Sequence, residues 1–466
     1  MREAVRTQPH IFRQYDIRGI VGEDLDADVA EQVGRAYGTL LREATGKNDP
    51  SVVVGQDNRP SSPELAAGLL RGLREAGVNV QEIGTVPTPV VYWAEQKLGT
   101  DGSIMITGSH NPSEWNGIKM TVQGRSIYGD TIQGLRARLE TGQLASGMGT
   151  LEERSLLDEY IEDVAGRFRP RRPVKVVVDC GNGSGSLVAV KLLEAIGAEV
   201  VPLFCESDGT FPNHHPDPTV DAYLVDLIRE VRKGGAECGI AFDGDADRIG
   251  VVDENGKVVR GDLLMLLFAL DILEQGGPGQ KFVFDVKCSQ ALSEAIEAKG
   301  GVPIMWMTGH SLMKEKMREE EAPLAGELSG HICFADRYYG FDDAPYAACR
   351  LVELLARTER LLSEVVAEFP DYVSTPEIRI EVEEARKFSV VRAAQEHFRE
   401  DHEVIDVDGA RILFGDGWGL LRASNTQPVL VARYEARSEE RLGEIRGVVE
   451  GWLRSQGVDV EAHGGH

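Results

Sequence analysis

Cysteine is sparse in this 466-residue chain: there are six, at positions 180, 205, 238, 288, 333 and 349, with no CxxC pair. Such scatter supports neither a disulfide framework nor a zinc cage, and most of the six lie in apolar strand-like runs, as reduced core residues do. Long apolar runs are missing too. The longest, Leu263–Leu270, is eight residues, against the ~20 that a bilayer-crossing helix needs, so a membrane is not expected as a partner. The segment Met1–His10 carries charges and a proline but no apolar stretch followed by a small-residue cleavage site. No secretory signal is read there, and a cytoplasmic location is expected. Positive charge is also in deficit, with 50 Lys and Arg against 76 Asp and Glu, a net charge of −26. A polyanion would be repelled, which argues against nucleic acid. A site for a small anion must be basic in itself, because at physiological salt the long-range field fades over about 8 Å.

What is present is a globular composition, 42% hydrophobic and 27% charged, without a stretch biased toward disorder. The length suits roughly three or four domains. One pattern recurs: a β-branched strand, a polar loop, an amphipathic helix ending at glycine, then another apolar strand. It runs from Ser51-Val-Val-Val-Gly-Gln-Asp57 through a 64–76 helix to Val78–Ile83, from Val174–Asp179 through Gly181–Gly185 and a helix to Ala198–Phe204, and from Lys281–Asp285 through a helix to Val302–Met307. Strands alternating with helices predict βαβ units, whose ligands gather at the C-terminal ends of the strands. The tail differs, with strand-like runs at 378–382, 410–414, 419–422 and 429–433 and helical segments near 384–398 and 439–454. The expected fold is α/β: three similar α/β domains with mixed or parallel sheets (1–152, 153–256, 257–368) and a smaller C-terminal α+β domain (369–466) around a central cleft. No coiled-coil heptads appear, and a monomer or a homodimer fits equally.

The most informative local feature is Asp243-Gly-Asp-Ala-Asp-Arg248, at the end of the apolar run Gly239–Phe242. Three alternating carboxylates are costly to bring together unless a hard cation is held between their oxygens; magnesium or calcium suits such ligands and zinc does not. A solvated acidic turn is the alternative. An EF-hand is disfavoured, because Arg248 stands where that loop needs glycine and the flanks read as strands.

Three further loops follow strand-like runs. Thr107-Gly-Ser-His-Asn-Pro112 displays Ser109 at a strand end, as a nucleophile or as an ordinary turn residue. Beside it, His110 is read as structural on an extended backbone, with proton transfer as the alternative, and Lys119 as a general base or phosphate contact. Gly326-Glu-Leu-Ser-Gly-His331 alternates Glu327 and Ser329; a carboxylate can accept two hydrogen bonds from vicinal sugar hydroxyls, or Glu327 can equally pair with an arginine. Arg422-Ala-Ser-Asn-Thr-Gln-Pro428 gathers a guanidinium, two hydroxyls and an amide, a phosphate cradle in outline or a polar turn. Gly181-Asn-Gly-Ser-Gly185 lacks the third glycine of a dinucleotide loop and is read as a tight βα turn.

Taken in this order, the four loops resemble those of the α-D-phosphohexomutase superfamily, and Tyr15–Gly19, Asp57–Arg59, Asp285–Lys287 and Thr308–His310 are similar to segments of bacterial phosphomannomutase/phosphoglucomutases. The resemblance implies an isomerase that moves a phosphoryl group between C1 and C6 of a hexose. It implies that Ser109 is a phosphoserine and a metal neighbour, that Asp243, Asp245 and Asp247 bind Mg²⁺, and that Arg248 steadies the phosphoryl group. Glu327 and Ser329 would read sugar hydroxyls, and Arg422, Ser424, Asn425 and Thr426 would hold the non-reacting phosphate. Tyr15, Arg18, Lys119, Lys287, Thr308, Gly309, His310 and His331 would line the site, with His110, His310 and Lys119 as candidates for proton transfer. A hexose 1,6-bisphosphate such as glucose 1,6-bisphosphate would be intermediate and activator, and the partner a small phosphosugar. Gln427 departs from the family's usual carboxylate and Leu328 from its usual methionine; neither fixes the sugar. Mannose and glucose phosphates are expected, with glucosamine phosphate, a phosphatase, or a metal- or sugar-phosphate-binding protein as alternatives.

Overall fold

Val52, Val53 and Val54 are buried, as a run of β-branched residues must be when a strand is covered on both faces. Their strand, Ser51–Gln56, lies inside a mixed sheet whose strands run in the order Ile17–Ile20, Trp115–Val122, Gly102–Ile106, Ser51–Gln56, Asn79–Thr85 and Leu151–Glu153. Gly102–Ile106 and Asn79–Thr85 pair parallel with it on either side. Trp115–Val122 turns back antiparallel on Gly102–Ile106, so the loop between these two is thrown out at the C-terminal end of the parallel strands. The helix Ala27–Thr45 starts where Asp26 accepts the Val29 amide and stops at Gly46 in the left-handed region; both ends are capped by residue types suited to them.

The computed structural model describes residues 8–424 and 428–460. These cluster into two units, one formed by the chain up to Gly261 with Ser329–Glu364, the other by Asp262–Leu328 with the chain from Val365 onward. The first unit contains the mixed sheet above and a second one, ordered Val258–Val259, Ile249–Asp253, Cys238–Phe242, Lys175–Asp179, Glu199–Leu203. Cys238–Phe242 is parallel to Lys175–Asp179 and forms an antiparallel hairpin with Ile249–Asp253. The EF-hand alternative therefore fails: strands, not helices, flank the acidic loop.

In the second unit Lys281–Asp285 is parallel to both Val302–Trp306 and Leu324–Gly326. An antiparallel sheet then runs Val373–Ser374, Val429–Ala436, Gly417–Ala423, Ala410–Leu413, Glu403–Ile405, with Ile378–Glu381 also paired to Val429–Ala436. The helices Lys387–Phe398 and Glu439–Ser455 share a core with it, through Val390, Ala394, Phe398, Ile445, Val449 and Leu453. Among the described residues no helix is long and apolar enough to cross a membrane.

Candidate active site

Ser109 sits just past the strand Gly102–Ile106, 2% exposed and at φ +50°. A non-glycine residue enters that left-handed region only when its surroundings force it. Here the force is a buried clamp. The guanidinium of Arg59 donates to the carbonyls of Ser109 (2.7 Å), Asn111 (2.6 Å), Pro112 (2.5 Å) and Trp115 (3.1 Å). Asp57 anchors Arg59 in turn, accepting from its Nε at 3.1 Å and also from the amide of Gly108 at 3.0 Å. The left-handed backbone at Ser109 overturns the expectation of an extended segment at His110. Instead of pointing elsewhere, the imidazole lies with Nδ1 3.1 Å from the Ser109 hydroxyl. Burial and the nearby charges of Arg248 and Arg18 push His110 well below its ordinary value, so its ring is neutral.

The hairpin turn brings the acidic loop to the same place. Ser109 Oγ donates to Asp243 Oδ2 at 3.0 Å. Gly244 makes that approach possible, since a Cβ there would fall 2.3 Å from the Ser109 carbonyl oxygen. Asp243 Oδ1 accepts the amides of Asp247 and Arg248, each at 3.1 Å. Lys119 Nζ donates to Asp245 Oδ2 at 2.8 Å and to Asp247 Oδ2 at 2.5 Å, and Thr88 Oγ1 donates to Asp245 Oδ2 at 2.5 Å.

All three aspartates are 0% exposed, which makes the charge count decisive. Burial, then the like charges of Asp247 and Asp245, push Asp243 well above the usual carboxylate range. Burial would do the same to Asp245, but the Lys119 ammonium holds it far below. Lys119 itself would be lowered by burial and is raised well above its ordinary value by those two aspartates. It is therefore a charged donor in this structure, which opposes its use as a base. Asp245 Oδ1 and Asp247 Oδ1 are buried without a hydrogen-bond partner, and one oxygen from each of the three aspartates lies within 4.8 Å of the others. Orphaned buried carboxylate oxygens are costly, and an all-oxygen set fits a hard divalent cation.

Arg248 Nε donates to His331 Nε2 at 2.9 Å, so the ring's other nitrogen carries the hydrogen. That nitrogen, Nδ1, lies 3.0 Å from Asp342 Oδ2 and 3.6 Å from Asp247 Oδ1. Arg18 is paired with Asp16 at 2.5 Å and stands opposite Gly117, on the strand that carries Lys119. Tyr15, half-buried, precedes the Arg18 strand; Ser329, also half-buried, belongs to this unit.

In the second unit Glu327 Oε1 accepts the Gly309 amide at 2.5 Å. Lys287 Nζ donates to Glu377 at 2.7 Å and lies 3.5 Å from Asp285. Asp408 Oδ2 accepts both the Thr308 amide and Arg422 Nε at 3.0 Å, joining two sequence segments that had been read apart. His310 opens the helix His310–Glu320, its Nδ1 3.4 Å from Lys314 Nζ. The Ser424 amide donates to the Val429 carbonyl at 3.0 Å. Asn425 and Thr426 lie outside the described residues. Thr88, Asp408 and Glu377 escape the sequence reading because each meets a partner far away in the chain, and Asp342, closer to its partner His331, belongs to no local motif. Asp57 and Arg59 were visible as a motif, but not as a clamp.

Models of phosphoglucomutase/phosphomannomutase α/β/α domains I, II and III match residues 9–146, 158–256 and 260–372, and the model of that family's C-terminal domain matches residues 377–450. The chain belongs to the phosphoglucomutase/phosphomannomutase family. It is an isomerase of the α-D-phosphohexomutase superfamily, built of three α/β domains and a C-terminal α+β domain. Among relatives of this mutase, a Pseudomonas putida protein named phosphomannomutase/phosphoglucomutase is 47% identical over 97% of this chain and 96% of its own. A Neisseria meningitidis protein named phosphoglucomutase is 42% identical over 96% and 97%. A solved structure of a family protein from Burkholderia thailandensis matches with a TM-score of 0.91 at 43% identity, covering 98% of the mutase and 100% of that chain.

Proposed function

We propose that this mutase interconverts hexose 1-phosphates and hexose 6-phosphates, of mannose, glucose or both, through a phosphorylated Ser109 and a hexose 1,6-bisphosphate that turns over in the site. The observation that carries the reading is the contact of Ser109 Oγ with Asp243 Oδ2 at 3.0 Å, beside two buried carboxylate oxygens that lack partners. Asp243, Asp245 and Asp247 would hold Mg²⁺, with Ser109 as neighbour. When bound, the ion would supply electrostatic stabilisation of charge on the transferring phosphoryl group.

The chain's own residues supply the rest. Because Ser109 Oγ donates to Asp243, the hydrogen between it and His110 belongs to Nδ1. Neutral His110 thus donates a hydrogen bond from Nδ1 to the serine oxygen and would stabilise the negative charge that develops there as the phosphoryl group leaves. Arg248, oriented by His331, steadies the transferring group, and Lys119 supplies positive charge beside it. The proton of the accepting hydroxyl is assigned to His310. Glu327 and Ser329 are proposed to read sugar hydroxyls, and Arg422, Ser424, Asn425 and Thr426 to hold the non-reacting phosphate, with Tyr15, Arg18, Lys287, Thr308, Gly309 and His331 lining the sugar's path. Glucose 1,6-bisphosphate in trace amounts would keep Ser109 phosphorylated. Domain limits near 152, 256 and 368, and the cytoplasm as compartment, belong to the same proposal.

The test is a coupled assay of glucose 6-phosphate formation from glucose 1-phosphate with Mg²⁺ and trace bisphosphate, in wild type and Ser109→Ala. Loss of turnover in the variant supports the proposal. Equal activity in the two proteins would overturn it, and turnover of mannose or glucosamine 1-phosphate alone would change the sugar and keep the chemistry.

A further inference from the structure

A sulfur pair lies in the first unit, apart from the proposed phosphoryl chemistry. Cys180 directly follows the strand Lys175–Asp179, and Cys205 follows the neighbouring Glu199–Leu203 by two residues. These strands are parallel, with Asp179 opposite Leu203. Parallel pairing sets the two strand ends side by side, and residues 25 apart in sequence meet with their sulfurs 3.2 Å apart. Cys180 is buried, whereas Cys205 is half-buried. Phe204, just before it, sits at φ +49°, a conformation a bulky residue rarely adopts, so the chain bends sharply into the thiol.

We propose that Cys180 and Cys205 form an oxidisable dithiol that a hydroperoxide converts reversibly into a disulfide. The contact with Cys180 lowers the Cys205 thiol below its ordinary value, while the same contact, together with burial, raises Cys180. The roles follow from that asymmetry and from exposure. The Cys205 thiolate attacks the peroxide, the O–O bond breaks, and with one proton from solvent the leaving oxygen departs as water or an alcohol; Cys205 is now a sulfenic acid. The Cys180 sulfur then attacks the Cys205 sulfur, the S–O bond breaks, and hydroxide leaves with the Cys180 proton as water. Two thiols and one hydroperoxide give one disulfide, one alcohol (or water) and one water; the two sulfurs supply both electrons. The sulfurs need to close by about 1.2 Å to reach bonding distance.

The bond would be felt at the acidic loop. The Cys180 carbonyl accepts the Gly183 amide at 2.8 Å, and the Ser184 amide donates to the Gly244 carbonyl at 2.9 Å. Gly183 lies so close to Gly244 that a Cβ on it would be 2.7 Å from the Gly244 oxygen. Gly244 separates Asp243 from Asp245, so a shift at Cys180 is transmitted to two of the proposed metal ligands.

The full-length protein is treated with one equivalent of hydrogen peroxide, blocked with N-ethylmaleimide, and analysed by intact mass and non-reducing peptide mapping. The expected result is loss of two of the six thiols, a Cys180–Cys205 linked peptide, full reversal by dithiothreitol, and no thiol loss in Cys205→Ser or, should serine impair folding, Cys205→Ala. All six thiols remaining, or equal thiol loss in the variant, would overturn the proposal whatever the substrate of the enzyme proves to be. Mg²⁺ titration of the oxidised wild type checks the coupling: a midpoint raised at least ~3-fold and restored by reduction is expected, and an unchanged midpoint would overturn that link.

Discussion

The two units carry charge in opposite ways. In the first, three buried aspartates stand together and one ammonium, Lys119, bonds two of them, Asp247 and Asp245, at 2.5 and 2.8 Å, so carboxylates outnumber the cation that touches them. In the second, each cation has its own carboxylate: Lys287 has Glu377 at 2.7 Å, with Asp285 at 3.5 Å, and Arg422 has Asp408 at 3.0 Å. A surplus of carboxylates demands a cation; a cation already paired receives an anionic ligand only by exchanging partners. The units nevertheless share a device for holding a loop. Arg59 ties four carbonyls of the Ser109 loop, and Arg411 ties the carbonyls of Val286 and Cys288 around Lys287, stacked 3.8 Å from the Trp418 ring. Guanidinium planarity suits both, because one group must satisfy several oxygens in fixed directions.

The largest break in the contrast is expected from Ser109→Ala, with mutase turnover in the coupled assay falling by about 10⁴-fold or more, as when a nucleophile is deleted. Removing part of the surplus by Asp245→Asn is expected to raise the Mg²⁺ midpoint of activity by about 10- to 100-fold. A similar midpoint in wild type and variant would mean that the triad is not the metal site. Arg59→Met leaves Asp57 buried without its counter-ion and releases the loop, so urea unfolding should show a loss of about 3–5 kcal/mol. In the second unit, Asp408→Asn should move KM for the phosphosugar by about 10-fold with kcat nearly unchanged, since a binding group and not a reacting one is disturbed. A fall in kcat alone would transfer Asp408 to the chemistry.

The smallest effects are in pH, and they have opposite signs in the two units. Glu377 is held down to about 2 although burial opposes it, because Lys287 lies beside it. Its stabilisation is fully present above the ordinary glutamate value and is lost as pH falls toward 2. Asp343 in the first unit is pushed up to about 6, chiefly by burial and despite hydrogen bonds from Tyr338, the Tyr346 amide and Tyr160. The folded state then binds the extra proton, so this group favours folding below about pH 4, and that advantage is lost as pH rises to 6. Urea midpoints at pH 4, 5 and 6 should therefore show a flatter profile in Asp343→Asn than in wild type. Glu377→Gln should cost stability at pH 6 and progressively less below pH 4.5.

Much of this was legible in the sequence where a signal is local. Val52–Val54 and Val176–Val178 announce buried parallel strands, and the alternating aspartates offer a hard-cation loop or a solvated turn, between which their complete burial and clustered oxygens favour the former. Short edge strands such as Glu403–Ile405 and Val373–Ser374 were not legible, because three or two residues carry no periodicity. The segment after Gly183 held a further surprise: its helix begins as the 3₁₀ turn Ser184–Leu187 before Ala189–Ala195. Site residues defined by distant partners stayed hidden for the same reason that the clamp did. Asp342 meets His331 only through the fold, and His110 meets Ser109 only because Arg59, fifty residues earlier, holds the backbone in an uncommon conformation.

The hairpin that bears the acidic loop has one more consequence, for the lengths this sequence can tolerate. Phe242 pairs with Ile249, so six residues span the turn, and each carboxylate takes its position from a count that begins and ends on fixed rungs. A residue inserted between Asp243 and Arg248 would leave the ladder closed while moving at least one carboxylate out of phase with Ser109 and Lys119. The turn is thus a segment in which substitutions are graded but a change of length is all-or-nothing, even though the strands on either side would fold unaltered.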